Sequence, residues 1–248
     1  MHYGLQVRAR IGCLALVSVL ALGSITSRVP AQDKQDEGPK PLPKDVNVLF
    51  DGKDLSKWLK YTKDEKKLTK AAWAVKDGYM EVAVGTGDIM TKDKFGPDFQ
   101  LHVEFWLPLM AKEKGQARAN SGIYLQGRYE VQVLDSYMNP TYADGACGAL
   151  YGLIAPSKNA SKPPQHWQTF DIEFHAPRVD AKTKQVTKKG RITVIHNDET
   201  VIDKGEFDKV TGGAMDMKLD TPGPIRLQDH KAAVRYRNIW LKPMLPVY

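Results

Sequence analysis

The chain has 248 residues, 42% of them hydrophobic and 26% charged, and a formal net charge of +7. That composition supplies a sizeable core for one or two domains. The positive charge is scattered, with only short clusters such as Lys66-Lys67 and Lys188-Lys189 and no basic helix or aromatic-interleaved patch, which argues against nucleic acid as a partner.

At the N-terminus, Arg8 and Arg10 precede an apolar run from Ile11 to Leu22, and a small-residue site follows at Val29-Pro30-Ala31. This is the layout of a secretory signal peptide over residues 1–31, and the run is too short for a comfortable membrane span. Cys13 opens the apolar run and does not follow it, so a lipid-attachment site does not fit. Cleavage after Ala31 would remove Arg8, Arg10 and Arg28 and take the formal charge from +7 to +4. Cys147 would then be the sole cysteine, so the mature chain forms no internal disulfide. It would rest on packing despite a secreted or periplasmic destination, with no membrane span. Residues 32–45, rich in Pro, Lys and Asp, read as a disordered linker, and residues 46–248 as the folded domain.

Strand signals then recur to the end of the chain. Phe50, Leu55 and Trp58 are core candidates around an Asp51-Gly52 turn. Trp73 to Val84 reads as a hairpin hinged at Asp77-Gly78. Phe99 to Phe105 sets apolar residues against Gln100, His102 and Glu104. Asn120 to Ser136 reads as two strands about Gly127, sending Val131 and Val133 into a core and Glu130 and Gln132 to the other face. In Thr169 to His175, Phe170, Ile172 and Phe174 oppose Asp171, Glu173 and His175. Arg191 to Ile202 is a hairpin turning at Asn197-Asp198. Ile225 to His230 opposes Ile225 and Leu227 to Arg226, Gln228 and His230, and Val234 to Leu241 is a final strand. No long segment has helical periodicity, so the fold class is all-β: a two-sheet antiparallel sandwich of jelly-roll type. Two long loops interrupt it, a Lys-rich, mobile one at 108–119 and one at 136–168. The second is rich in Gly and aromatic residues and reads as a binding loop.

Every strand of a sandwich has an outer face, so polar outer faces are ordinary. Glu130-Gln132, Asp171-Glu173-His175 and Arg226-Gln228-His230 nonetheless suit sugar hydroxyls, metal coordination or proton transfer at neutral pH. If their strands neighbour one another they converge, with Trp167, Tyr151 and Tyr137 as an apolar platform for a sugar ring. No G-x-S-x-G elbow, H-E-x-x-H or P-loop is present. The pair Asp171 and Glu173, roughly 6–7 Å apart at Cα, meets the spacing of a retaining glycosidase, about 5–5.5 Å between carboxyl groups. The further glutamate of that pattern is missing, because the chain continues Phe174-His175-Ala176-Pro177.

Five blocks in order carry a family resemblance: V-L-F-D-G-K-D-L-S-K-W (48–58), N-S-G-I-Y-L (120–125), Y-E-V-Q-V-L-D (129–135), G-A-L-Y-G (148–152), and G-P-I-R-L-Q-D-H with V-R-Y-R-N-I-W-L (223–241). From about Val46 onward the chain resembles the 3-keto-disaccharide hydrolases, also described as 3-keto-glucoside 1,2-lyases and 3-keto-2-hydroxy-glucal hydratases. The resemblance implies a concanavalin A-like lectin/glucanase fold, a carbohydrate substrate, and a sugar 3-dehydrogenase as functional partner. In the implied chemistry a C3 ketone acidifies the C2 hydrogen, a base removes it, the glycosidic oxygen leaves C1, and water adds back. Glu130, Glu173, His175 and His230 are the candidates for base and acid. Arg226 or a divalent metal would polarise the C3 oxygen. Gln132, Asp135, Tyr151, Trp167 and Gln228 are candidates for holding the sugar. The alternative is a non-catalytic carbohydrate-binding jelly roll.

Overall fold

The structure, a computed structural model, describes residues 38–64 and 67–245. The signal-peptide reading and the first part of the linker reading fall outside those residues. Sixteen strands form among them: β1 (Asn47–Phe50), β2 (Trp58–Lys60), β3 (Thr69–Lys70), β4 (Ala74–Lys76), β5 (Tyr79–Glu81), β6 (Ile89–Thr91), β7 (Asp98–Trp106), β8 (Asn120–Leu125), β9 (Tyr129–Leu134), β10 (Trp167–His175), β11 (Arg178–Val179), β12 (Val186–Lys188), β13 (Gly190–His196), β14 (Glu199–Phe207), β15 (Arg226–Leu227) and β16 (Arg235–Pro243). No α-helix is present among the described residues.

The long alternating segments form strands where the pattern predicts them, and the turns follow from residue chemistry. Asp77 and Gly78 take φ of 50° and 80°, and Asn197 and Asp198 take 51° and 66°. Tight two-residue hairpins need positive φ at both central positions, which Asn, Asp and Gly tolerate best. Strands β2, β3, β6, β11 and β12 have only two or three residues, too few for a period of two to show. The strand expected at 225–230 shrinks to β15, because Gln228 to His230 leave the ladder.

Two large antiparallel sheets and a separate two-stranded β11–β12 ribbon result. The larger runs β14-β13-β10-β7-β16-β5-β4, with β1 also on β16, and the smaller runs β3-β2-β6-β15-β8-β9. Between them lies one core of inward-facing residues, including Phe99, Leu101, Val103 and Phe105 of β7, Phe170, Ile172 and Phe174 of β10, and Ile123, Val131 and Val133 of the smaller sheet. The Tyr129 ring meets Phe174 and Phe207 at centroid distances of 5.2 and 5.1 Å, joining the sheets by aromatic contact. Within the segment read as a linker, Lys40 is held to the larger sheet. Its N–H donates to Glu104 Oε1 at 2.7 Å, its carbonyl accepts from Asn238 Nδ2 at 2.9 Å, and its Nζ reaches Asp198 at 2.9 Å.

A chain of hydroxyls also crosses the core. Tyr236 of β16 donates to Ser121 Oγ of β8 at 2.7 Å, and Ser121 donates to the Gln228 carbonyl at 2.6 Å, with Tyr236 and Ser121 fully buried. Ser121→Ala strands both the Tyr236 hydroxyl and the Gln228 carbonyl, whereas Tyr236→Phe leaves the second bond intact. Urea unfolding of the two variants should show Ser121→Ala costing about 1–3 kcal/mol and Tyr236→Phe about 0.5–1.5 kcal/mol. The reverse order would show that the hydroxyl chain does not tie the sheets together.

Candidate functional site

Strand register brings the polar face of the smaller sheet together. Glu130 of β9 lies opposite Tyr124 of β8, and Tyr124 lies opposite Arg226 of β15. One row along, Gln132 lies opposite Gly122, whose carbonyl accepts the Gln228 N–H at 3.0 Å. This face would meet water if loops did not cover it. Loop residues lie against β9, where Tyr151 N–H donates to the Glu130 carbonyl at 2.9 Å, Gln132 N–H to Ala149 at 3.0 Å, and Gly148 N–H to Gln132 at 2.9 Å. Thr211 Oγ1 accepts the Glu130 N–H at 2.9 Å and donates to the Arg128 carbonyl at 2.9 Å, while the Arg128 guanidinium grips Asp216 through Nε and Nη2 at 2.5 and 2.9 Å. The loop expected to be mobile at 108–119 is pinned at Gln116, whose amide donates to Thr141 Oγ1 at 2.9 Å and to the Gly145 carbonyl at 2.8 Å, and whose Oε1 accepts from Gln132 Nε2 at 3.0 Å.

What stays open is a cleft of about 300 Å³ lined by Gln116, Asn120, Tyr124, Glu130, Gln132, Tyr142, Tyr151, Gly212, Gly213, Gln228 and His230. Its volume sits at the lower end of ligand pockets, about 300–1,000 Å³. Amides and phenols dominate the lining, and each both donates and accepts hydrogen bonds, the pattern that matches hydroxyl groups. Gln132 Oε1 is buried with no hydrogen-bond partner.

Glu130 is the one carboxylate in that lining, and it is 4% exposed. Burial pushes its carboxyl up to about 7, against the opposing effects of the Tyr124 hydroxyl, which donates to Oε2 at 2.9 Å, and of the Arg226 charge. A carboxyl poised there can both take and return a proton at neutral pH. Burial also raises the Tyr124 phenol, chiefly, with the Glu130 charge second, so it stays protonated as a donor. Gln228 Nε2 donates to the same hydroxyl at 3.2 Å. Gly122 gives the carboxylate its place, since a Cβ there would lie 2.2 Å from Glu130 Oε1.

Of the residues expected from sequence, Glu130, His230, Gln132, Tyr151 and Gln228 share the cleft, and His230 is exposed at it. The rest of the expected convergence does not occur. Glu173 and His175 sit on β10 of the larger sheet, where Glu173 Oε1 and Asp98 Oδ1 each lie 3.0 Å from a nitrogen of His175. Trp167 starts that same strand and carries the Arg237 guanidinium at 4.0 Å, so it lines no part of the cleft. Tyr137 does not line it either. Asp135, just past β9, is buried against Arg118 at 2.7 Å and braces the loop that follows. Arg226 is packed on the Tyr124 ring at 3.7 Å and the Tyr61 ring at 4.6 Å, behind the lining. Gln116, Asn120, Tyr124 and Tyr142 were missed. Tyr124 and Asn120 could have been found by extending the face of Glu130 across the Gly127 turn, whereas Gln116 and Tyr142 arrive on loops without periodicity. Among the described residues no three His, Cys, Asp or Glu side chains group to hold a metal ion, and the cleft pairs its one carboxylate with a single imidazole. The donor set does not fit a divalent cation.

A model of the 3-keto-alpha-glucoside-1,2-lyase-like domain matches residues 45–242. A crystal structure from Parabacteroides distasonis ATCC 8503, described provisionally as a glycosyl hydrolase, is 35% identical, with 86% of this chain and 97% of that one covered and a TM-score of 0.72. A second from the same organism, with the same description, is 21% identical, covers 80% and 99% and has a TM-score of 0.54, a likeness of fold. Among curated proteins none matches.

The Glu130 shift has a measurable consequence for stability. Its carboxyl binds protons more tightly in the folded state than at the ordinary value of 4.5, so its contribution is greatest below about 4.5 and is lost as pH rises through about 7. Glu130→Gln keeps an acceptor for Tyr124 and removes the charge. It should therefore raise Tm at pH 8, by the equivalent of about 3 kcal/mol at most, and the gain should vanish near pH 4. A gain independent of pH would contradict a desolvated carboxylate.

Proposed function

The chain belongs to the 3-keto-alpha-glucoside-1,2-lyase-like family, and from that premise we propose that it cleaves 3-keto-glycosides by elimination across C1–C2 followed by hydration. Assignment to the carbohydrate-active enzymes rests on the family match and on the 35%-identical structure described as a glycosyl hydrolase. One observation supports the finer reading above the others: a single carboxylate, nearly buried, set among amides and phenols in the cleft, where burial raises it.

In this reading Glu130 takes the C2 proton, and the electrons of that bond delocalise onto the C3 oxygen. The Gln228 and Gln132 side-chain amides, each with one N–H already engaged and one to spare, are the nearby donors for the resulting enolate oxygen, with Tyr124 keeping Glu130 in place. The glycosidic oxygen leaves C1 as the double bond forms, and accepts a proton from His230 or from the Glu130 carboxyl. Water then returns hydroxyl to C1 and a proton to C2, so the sum is hydrolysis without an oxocarbenium ion. Arg226, packed against the Tyr124 ring, lowers the Glu130 carboxyl by its charge. A 3-keto substrate has to be made by oxidation of a sugar at C3, so a sugar 3-dehydrogenase is the functional partner this proposal requires. Export to the periplasm or medium completes it, on the strength of the N-terminal sequence alone.

Incubation with 3-keto-trehalose should release sugar while the unoxidised disaccharide stays intact. Because the base must be ionised, kcat/KM should climb with pH and level off above about 7. Glu130→Gln should lower kcat by about 10²–10⁴-fold, and His230→Ala should fold normally and lose most activity. Equal cleavage of the parent disaccharide would make the protein an ordinary glycosidase. Binding of 3-keto sugars without turnover in the unaltered protein would leave only a carbohydrate-binding role.

A further inference from the structure

Glu173 and His175, which the cleft does not use, belong to a second constellation on the larger sheet. Register sets Asp98 of β7, His175 of β10, Arg191 of β13 and Glu206 of β14 in one row across four strands. The β11–β12 hairpin adds Arg178 and Lys188, which lie opposite each other. Together with Lys189 and Ala176 these residues enclose a recess of about 90 Å³. A water needs roughly 10–15 Å³ of such space, so the recess has room for several waters, or for one tetrahedral oxyanion.

Its carboxylates do not satisfy every cation around it. Asp98 is fully engaged, with Oδ1 at 3.0 Å from His175 Nδ1 and Oδ2 accepting from Arg178 Nη2 at 2.6 Å. Glu206 lies 3.9 Å from Lys189 Nζ, beyond hydrogen-bond reach. The two carboxylates of the lining thus leave Lys189 and Arg191 without a hydrogen-bonded counterion. Arg191 is the least satisfied of them. Its Nε is buried without a hydrogen-bond partner, and Nη2 reaches only the His175 ring, at 3.4 Å. A buried guanidinium N–H without an acceptor is costly and asks for one. Guanidinium forks match the oxygens of sulfate and phosphate groups, and flanking ammonium groups add charge.

We propose that this recess binds a small oxyanion of the sulfate or phosphate class, either free or as a substituent of a glycan, with Arg191 as the principal donor and Lys189 as a flanking cation. The site lies on the sheet opposite the cleft and is independent of the proposed reaction.

Calorimetric titration with sodium sulfate, sodium phosphate and glucose 6-sulfate, at ionic strength held constant with chloride, tests it. Saturable one-to-one binding of at least one of them is expected, weakening at least tenfold in Arg191→Gln and less in Lys189→Gln, and persisting in Glu130→Gln. Tighter binding of glucose 6-sulfate than of inorganic sulfate identifies a glycan substituent, and equal binding identifies a free anion. Circular dichroism confirms that each variant is folded, and Lys189→Gln, at an exposed position, serves if Arg191→Gln is not. No saturable binding of any of the three, or binding unchanged in both recess variants, would overturn the proposal.

Discussion

The removal of Glu130 from water is the constraint on which the site depends. A carboxylate on the outer face of a sheet would ordinarily be solvated, yet here loop residues 148–151 and Thr211 lie along the open edge of β9 and close over it. The chain then offers it one close hydrogen bond, from Tyr124, and a cation held behind that ring. Partial compensation is the point. A second guanidinium in contact would fix the charge and make the group a poor base, whereas no partner at all would keep it protonated through neutral pH. The pinned position of Gln116, the space left at Gly122 and the Arg128–Asp216 clamp all serve to keep this balance in one geometry.

Glu104 shows what full compensation does to the same residue type. It too is buried, and burial alone would raise it. The His102 imidazole 3.7 Å away, with hydrogen bonds from Asn238, Arg237 and the Lys40 N–H, outweighs that effect and holds it at about 2. The two glutamates occupy opposite sheets of one sandwich. One is a fixed anion anchoring the segment around Lys40, and the other is free to exchange a proton. Their difference lies entirely in the neighbours, and none of those neighbours is adjacent in sequence to the glutamate it controls.

That explains what the sequence could and could not reveal. Alternation in 99–105, 129–134 and 169–175 exposed those strands, because each has one apolar face and the period of two survives without neighbours. The same alternation put Glu130 with Gln132 and Gln228 with His230. It could not tell which sheet each strand joins, so Glu173 and His175 looked equivalent to Glu130 although β10 pairs with β7 and β13. Arg226 was legible as polar and outward-facing, but its burial between two tyrosine rings follows from β2, β6, β15 and β8 lying side by side, which no local pattern encodes. Gln116 and Tyr142 reach the cleft on loops, where position depends on what the loop touches.

Strand β16 occupies the middle of the larger sheet. It pairs with β7 along one edge and with β5 and β1 along the other. During synthesis it is the last of the sixteen strands to be made, and β1 is the first. Until residues 235–243 arrive, β7 and β1 present open edges and the sheet is split in two. The fold is therefore closed by its slowest kind of contact, one between distant parts of the chain, and a chain whose residues 235–243 are still held in the ribosome cannot complete it.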